Sequence, residues 1–254
     1  MLIDTHAHIY SDEFADDIDE VMQHAYTNDI KKIVLPNIDS ASIKRVNDLT
    51  DAYPHLVYPL MGLHPTSVSA DYKEELQAIE YWLEKRKFYG IGEIGIDLYW
   101  DKTYIREQED AFRFQIKLAR SKKLPVVIHT RESFNEVYSI LASEQDGDLR
   151  GIFHCFSGNE VEAKKAIDIG FLLGIGGIIT FKNNKVAADM SNISIENLVL
   201  ETDSPYLAPE PKRGRRNESA YLVYIAQKVA EIYNISVEEV AEITTHNARN
   251  LFGI

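Results

Sequence analysis

One short pattern recurs along this chain: an apolar run about as long as a buried β-strand, then a histidine or an acid. Leu2-Ile3 leads to His6-Ala7-His8, Ile91-Gly92 to Glu93, and Val126-Val127-Ile128 to His129. Gly151-Ile152-Phe153 leads to His154, and Leu198-Val199-Leu200 to Asp203. Helical stretches separate the runs. Eight strands alternating with helices over 254 residues match one α/β domain of the (β/α)8 TIM-barrel class, whose usual size is about 250 residues. A doubly wound open sheet would alternate in the same way. The ligand-type residues separate the two, because only a closed barrel sets the end of its first strand beside the end of its eighth. The expectation is a single barrel domain over residues 1–254.

Apolar spacing predicts strands over 2–5, 31–36, 56–63, 88–94, 124–129, 151–154, 170–175 and 198–200. It predicts helices over 11–28, 40–53, 72–87, 107–122, 133–143, 160–169, 219–233 and 237–245. The stretch GIGGIITFKNN after the seventh strand reads as a loop.

Side chains at the C-terminal ends of barrel strands meet at one face, where such folds carry their chemistry. Two imidazoles at His6 and His8, spaced i and i+2 after a strand, can chelate one ion. Glu93 lies in GIGEIGID, where an acid among apolar and small residues is costly unless paired or metal-bound. His129 or His154 alone would more often be a hydrogen-bonded core histidine; the two together with HxH and Glu93 read as a site. Glu201 and Asp203 in LVLETDSP alternate, so both can face one side. One would bind metal and the other support it, although Thr-Asp-Ser-Pro also has turn chemistry. Asp4 is placed to orient an imidazole from behind, and Asp97 reads as a loop or supporting group. His64, in GLHP, is expected to touch substrate rather than metal. Imidazole and carboxylate suit zinc and other divalent metals, and two ions sharing a carboxylate can activate water.

Arg131, Lys182 and the arginines Arg213, Arg215 and Arg216 of PKRGRRN flank these positions. A guanidinium fork suits a phosphate; the alternative is a solvated surface loop. His24, His55 and His246 lie away from strand ends and receive no role. Cys155 reads as a buried, inert thiol. The net charge of −13 argues against a general duplex-binding protein. It leaves room for a nuclease, whose divalent ions supply local positive charge. One cysteine allows no intrachain disulfide and fits a reducing compartment. MLIDTHAHIY lacks the basic and apolar regions of a signal peptide, and no apolar run approaches the ~18 residues of a membrane span. The expectation is a cytoplasmic monomer with no membrane contact.

The segments LIDTHAHI, MGLHP, GEIGID, HTRES, FHCFSG, GIGGIITFKN, LETDSPYLAP, RGRRNES and TTHNARNLF run from residue 2 to residue 252. Together they resemble the TatD family of metal-dependent deoxyribonucleases, among the amidohydrolase-like barrels. The resemblance implies a TIM barrel of the metal-dependent hydrolase type with two or three divalent ions, zinc, magnesium or manganese. It implies hydrolysis of DNA phosphodiester bonds, by 3′→5′ exonuclease action or incision at abasic sites, with single strands or 3′ ends as substrate. By the same resemblance His6, His8, Glu93 and Asp203 hold one ion, and Glu93, His129 and His154 the second. Glu93 bridges, and His64 and the RGRRN arginines meet the phosphate; in the two-metal phosphodiesterase reading Asp203 also serves as general base. Tyr10, Ser133 and Asn135 depart from the residues the family often carries.

The competing reading is a related barrel hydrolase acting on an amide, lactone or small phosphoester. Many of those bridge their ions with a carboxylated lysine on the fourth strand, and this chain has no lysine between Gly90 and Leu98. A silent scaffold, the third reading, would have lost ligands, and all the expected ones are present.

Overall fold

The computed structural model describes residues 1–182 and 185–254; Asn183 and Asn184, at the end of the glycine-rich stretch, lie outside them. Strands and helices alternate in the order β1 Leu2–Asp4, α1 Ile18–Thr27, β2 Ile30–Leu35, α2 Ile43–Ala52, β3 Val57–Pro59 and α3 Tyr72–Lys85. Then come β4 Ile91–Asp97, α4 Ile105–Lys122, β5 Val126–Arg131, α5 Phe134–Glu144, β6 Gly151–Phe153 and α6 Glu160–Asp168. β7 Phe171–Ile175, α7 Val186–Met190, β8 Leu198–Leu200, α8 Leu222–Tyr233 and α9 Val237–Phe252 complete the chain.

All neighbouring strands pair in parallel, β1 to β3 in one run and β4 to β8 in another. Two seams join the runs into a TIM barrel. Between β3 and β4, Met61 pairs with Ile91, and the Gly92 N–H donates to Met61 O. Between β8 and β1, Ala7 pairs with Ser204; the Thr5 N–H donates to Leu200 O at 3.0 Å and the His8 N–H to Ser204 O at 2.7 Å.

Alternation along the strands separates two cores. Val126 and Ile128 face outward into the layer shared with the helices. Val127 faces inward with Ile3, Val34, Leu60, Ile152 and Val199, and Ala248, Leu251 and Phe252 of α9 pack on that group. Asn247 donates to the carbonyls of Glu196 and Leu198, and Thr245 to that of Met1. Helix α9 therefore plugs the end of the barrel where strands begin, leaving the other end as the mouth.

This plug explains one departure from the apolar spacing, which ends the last helix at residue 245. The helix runs on to Phe252 because its final turns are buried. Its start was legible: Ser236 and Glu239 form a capping box. The predicted helix over 11–28 is a short turn at Asp12–Phe14 followed by α1. Part of the glycine-rich loop is itself a helical turn, Gly177–Thr180, and α7 follows it.

Asp4 does not orient an imidazole. It is fully buried and accepts from the Thr202 N–H (2.9 Å), the Thr202 hydroxyl (2.6 Å) and the His6 N–H (3.4 Å). Burial pushes its carboxyl up to about 7, against the hydrogen bonds from Thr202. Asp4 thus ties the β8–β1 seam. Replacing it with alanine leaves the buried Thr202 N–H unmet and the Thr202 hydroxyl with only Ser204 Oγ, at 2.9 Å, a loss of about 1–3 kcal/mol for an unmet buried donor. Asp4→Ala should lower the melting temperature by several degrees, since each kcal/mol moves a chain of this size by roughly 2–4 °C. An unchanged thermal melt would show that the seam does not depend on this carboxylate.

Candidate metal centre

Strict alternation would turn Glu93 outward with Ile91. The register prevents it. Ile91 faces Val126 and Ile94 faces Ile128, so Gly92 and Glu93 together oppose Val127. This β-bulge re-aims the Glu93 side chain into the mouth. Gly95 completes the arrangement: its φ is +150°, and a Cβ there would overlap the His129 carbonyl oxygen. On β1 a bend at Thr5 and the outward Ala7 put His6 and His8 on the inner side.

The side chains converge around Glu93. Its Oε2 lies 3.1 Å from His6 Nε2 and 3.6 Å from His8 Nε2. Asp203 Oδ1 lies 3.9 Å from His6 Nε2 and 3.6 Å from His8 Nε2, and the two imidazole nitrogens are 3.1 Å apart. A tetrahedral ion with bonds of about 2.0–2.1 Å has ligand atoms about 3.3–3.4 Å apart. His6, His8 and Asp203 form one such candidate group and His6, Glu93 and His154 another, with separations near that size. The other oxygen, Glu93 Oε1, faces His129 Nδ1 at 2.8 Å, His64 Nε2 at 3.3 Å and His154 Nε2 at 3.7 Å. The carboxylate is thus shared between two nitrogen-rich groups, and its donor set suits divalent cations. The His154 ring stacks on His6 with centroids 3.5 Å apart, so it lies between the two groups.

Outer partners decide which ring nitrogen carries the proton. Tyr10 donates its hydroxyl to Pro36 O and so accepts from His8 Nδ1, at 3.0 Å. Asp97 Oδ2 accepts from His129 Nε2 at 2.9 Å. Glu201 Oε1 lies 2.8 Å from His154 Nδ1 and accepts the Cys155 N–H at 2.6 Å. In all three rings the other nitrogen faces the centre, where it would present its lone pair to a bound ion, the arrangement that metal-bound histidines adopt. His64 differs. Its Nδ1 accepts the Thr66 N–H, so the neutral ring presents an Nε2–H donor to the site. Gly174 leaves the room Glu201 needs, since a Cβ there would overlap Glu201 Oε2.

Charge follows the same geometry. Burial pushes Glu93 up, but His64, His154, His6 and the hydrogen bond from His129 hold it well below the usual carboxylate range. Burial lifts Asp203 to about 6 against the pull of His154 and His8. Burial lowers His154, yet Glu201, Glu93 and Asp203 outweigh it and raise the ring to about 10. Burial raises Asp97, but His129 and the N–H groups of Trp100 and Tyr99 bring it to about 2. Half-buried Cys155 is pushed well above the thiol range by burial, then by Asp203 and Glu201, so it is no nucleophile.

A model of the family described as TatD-related DNase matches residues 3–253. The chain belongs to the TatD family. The uncharacterized metal-dependent hydrolase YabD of Bacillus subtilis is 37% identical over 255 residues, covering all of both chains. YcfH of Escherichia coli, with the same description, is 31% identical over 258 residues, covering 100% of this chain and 96% of its own. The crystal structure of YjjV, a TatD homologue of Escherichia coli, superposes with a TM-score of 0.93 at 28% identity, over 100% of this chain and 98% of that one. This protein is therefore a metal-dependent hydrolase.

The arginines of this TatD chain divide. Arg216 is committed elsewhere, contrary to its expected place at a phosphate: both its terminal nitrogens bond Asp17 (2.8 and 2.6 Å), one also bonds Glu13 O, and it lies 4.4 Å over Phe14. It clamps the RGRRN loop to the segment before α1. Arg213 is exposed, 4.1 Å over Phe181 and 3.9 Å from Glu210; Arg215 and Lys182 are exposed. Arg131 is exposed at the end of β5, over Tyr99. The residue that sequence reading missed is Tyr10. The i, i+2, i+4 spacing of His6, His8 and Tyr10 was its signal.

Two outcomes test the centre. Tyr10→Phe should weaken metal binding by roughly 10- to 100-fold, the usual effect of losing an outer partner, measured by competition with a chelator. Glu93→Ala should lose metal from both groups at once, measured as ions per chain after dialysis. A variant that kept the parent's metal content would remove Glu93 from the bridging position.

Proposed function

We propose that this TatD protein is a two-metal deoxyribonuclease that hydrolyses phosphodiester bonds at 3′ ends or abasic sites. The observation that carries the reading is the division of one carboxylate, Glu93, between two donor groups. Two ions held there would polarise a phosphoryl oxygen and activate water; zinc, magnesium and manganese all accept this donor set. The DNA substrate is supported by the family's description and by the exposed guanidinium groups of Arg131, Arg213 and Arg215. All candidate ligand atoms come from one chain, which supports action as a monomer, and the lone Cys155 suits a reducing cytoplasm. Among the described residues no helix is long and apolar enough to cross a membrane.

The side chains take distinct parts. Asp203, whose Oδ1 lies beside His6 and His8, would receive a proton from the attacking water. Its φ of +57° and the hydrogen bond from its N–H to His6 O aim it at the histidines. The His64 Nε2–H, 3.3 Å from Glu93 Oε1 and 3.3 Å from His129 Nδ1, would turn to a phosphoryl oxygen once ions engage Glu93 and His129. A small amide, lactone or phosphoester substrate is the alternative; an amide or lactone would have no use for the exposed arginines, and a small phosphoester would need no more than one of them.

Asp203→Asn keeps the shape and removes the basicity. Turnover on a labelled oligonucleotide should fall on the order of 10²-fold or more, with circular dichroism unchanged; activity within a few-fold of the parent would exclude Asp203. The arginines give a second test. Arg213→Ala with Arg215→Ala should raise KM for a single-stranded oligonucleotide more than for bis-p-nitrophenyl phosphate, because remote phosphates are held by charge. Arg216→Ala should instead lower the melting temperature. Equal effects of the double variant on both substrates would shift weight to the small-substrate alternative.

A further inference from the structure

Four of the nine exposed large hydrophobic side chains among the described residues sit on two loops at the mouth: Tyr99 and Trp100 after β4, and Tyr206 and Leu207 after β8. Apolar surface gathered beside a polar site marks a place of contact. Trp100 is 64% exposed and Tyr99 47%. Their rings meet edge to face with centroids 4.9 Å apart. The Arg131 guanidinium lies 3.8 Å over the Tyr99 ring and 5.3 Å from the centre of Trp100. Unlike Arg216, it makes no ion pair among the described residues. The group is tied to the metal centre through one residue. The N–H groups of Tyr99 and Trp100 donate to Asp97 Oδ1 at 2.9 and 3.0 Å, while Asp97 Oδ2 holds His129 Nε2.

We propose that Trp100, Tyr99 and Arg131 form a subsite for one unpaired nucleotide of the substrate, its base stacked on Trp100 and its phosphate met by Arg131. The proposal rests on the nuclease reading and deepens it. Tyr99 occupies one side of the guanidinium by a cation–π contact and leaves the N–H fork open to an anion. Trp100 keeps ring surface in water, and every base offers a flat face to such a ring, so the subsite is tolerant of sequence. A base inside a duplex is already stacked and must leave the helix to reach it. The subsite therefore selects single strands, frayed ends and bases beside an abasic gap. Because Asp97 anchors both the platform and His129, the stacked nucleotide sits at a fixed offset from the reacting phosphate.

Fluorescence reads this contact directly, because the chain has two tryptophans, Trp82 and Trp100, and Trp82 is partly buried on α3. The probe is hexathymidylate with phosphorothioate linkages, which resists cleavage, added to the metal-loaded protein. Saturable quenching is expected in the parent and none in Trp100→Phe. With cleavable hexathymidylate, Trp100→Ala should raise KM roughly 5- to 100-fold, the size of one base–aromatic stack, with a smaller change in kcat. Trp100→Phe should recover most of that loss. Removing the stacked base, found by moving one abasic residue along the oligonucleotide, should raise the parent's KM by a similar factor and leave Trp100→Ala unaffected. Cleavage with no quenching and an unchanged KM in Trp100→Ala would overturn the subsite and leave the nuclease reading standing. Quenching without cleavage would support the subsite and sink the nuclease reading; neither would sink both.

Discussion

Glu93 carries a negative charge where almost no water reaches it, at 2% exposure. An unpaired carboxylate in such a place would take up a proton rather than stay ionised. Five imidazoles, from His6, His8, His64, His129 and His154, lie within 4.0 Å of its oxygens and keep it charged. Much of the surrounding structure serves that meeting. The bulge in β4 turns the side chain inward, Gly95 lets β4 lie against β5, and the β8–β1 seam delivers His6, His8 and Asp203 together. A cation between these groups would take over from the imidazoles the neutralising of that charge.

A second layer makes the centre selective in its geometry. Tyr10, Asp97 and Glu201 each fix one imidazole by engaging the nitrogen that faces away from the centre. They are anchored in turn: Tyr10 to the Pro36 carbonyl, Asp97 to the backbone beyond β4, and Glu201 to the Cys155 N–H. The ligand positions thus rest on backbone that the barrel holds rigid, the condition for a preorganised site. The His64 ring, polarised the other way by Thr66, is left as a donor. One set of histidines can therefore hold cations and also offer a proton to an anion.

The acidic balance of the chain and the anionic substrate proposed for it are compatible locally. A net charge of −13 repels a nucleic acid at a distance, but screening confines that repulsion to about 10 Å at ordinary salt. Within that range the charges at the mouth decide. Among the described residues Arg131 and Arg215 make no ion pair and Arg213 only a long one to Glu210 (3.9 Å), whereas Arg216 is spent on Asp17. Proximity in sequence misled on this point: three arginines in four positions look like one patch, yet their chemistry depends on which acid each fork can reach.

The barrel and the roster of candidate ligands were legible in the sequence because both are local signals. A short apolar run reads as a strand, and a histidine or acid just beyond it reads as a strand-end ligand wherever the chain goes next. His6, His8, Glu93, His129, His154 and Asp203 could all be named this way. What alternation could not supply was direction. By period two Glu93 belongs on the outer face, and only the register between β4 and β5, with two residues opposing one, turns it in. Nor could Asp4 be told from an imidazole partner until the barrel closed and brought Thr202 against it. The length of α9 was hidden too, because the burial of its last turns depends on the barrel end it plugs. Sequence determined which strand-end residues are candidates to hold metal, since side-chain type and strand position are written along one chain. Tertiary structure decided which oxygen faces which nitrogen and which charges stay free, because those depend on contacts between segments far apart in sequence.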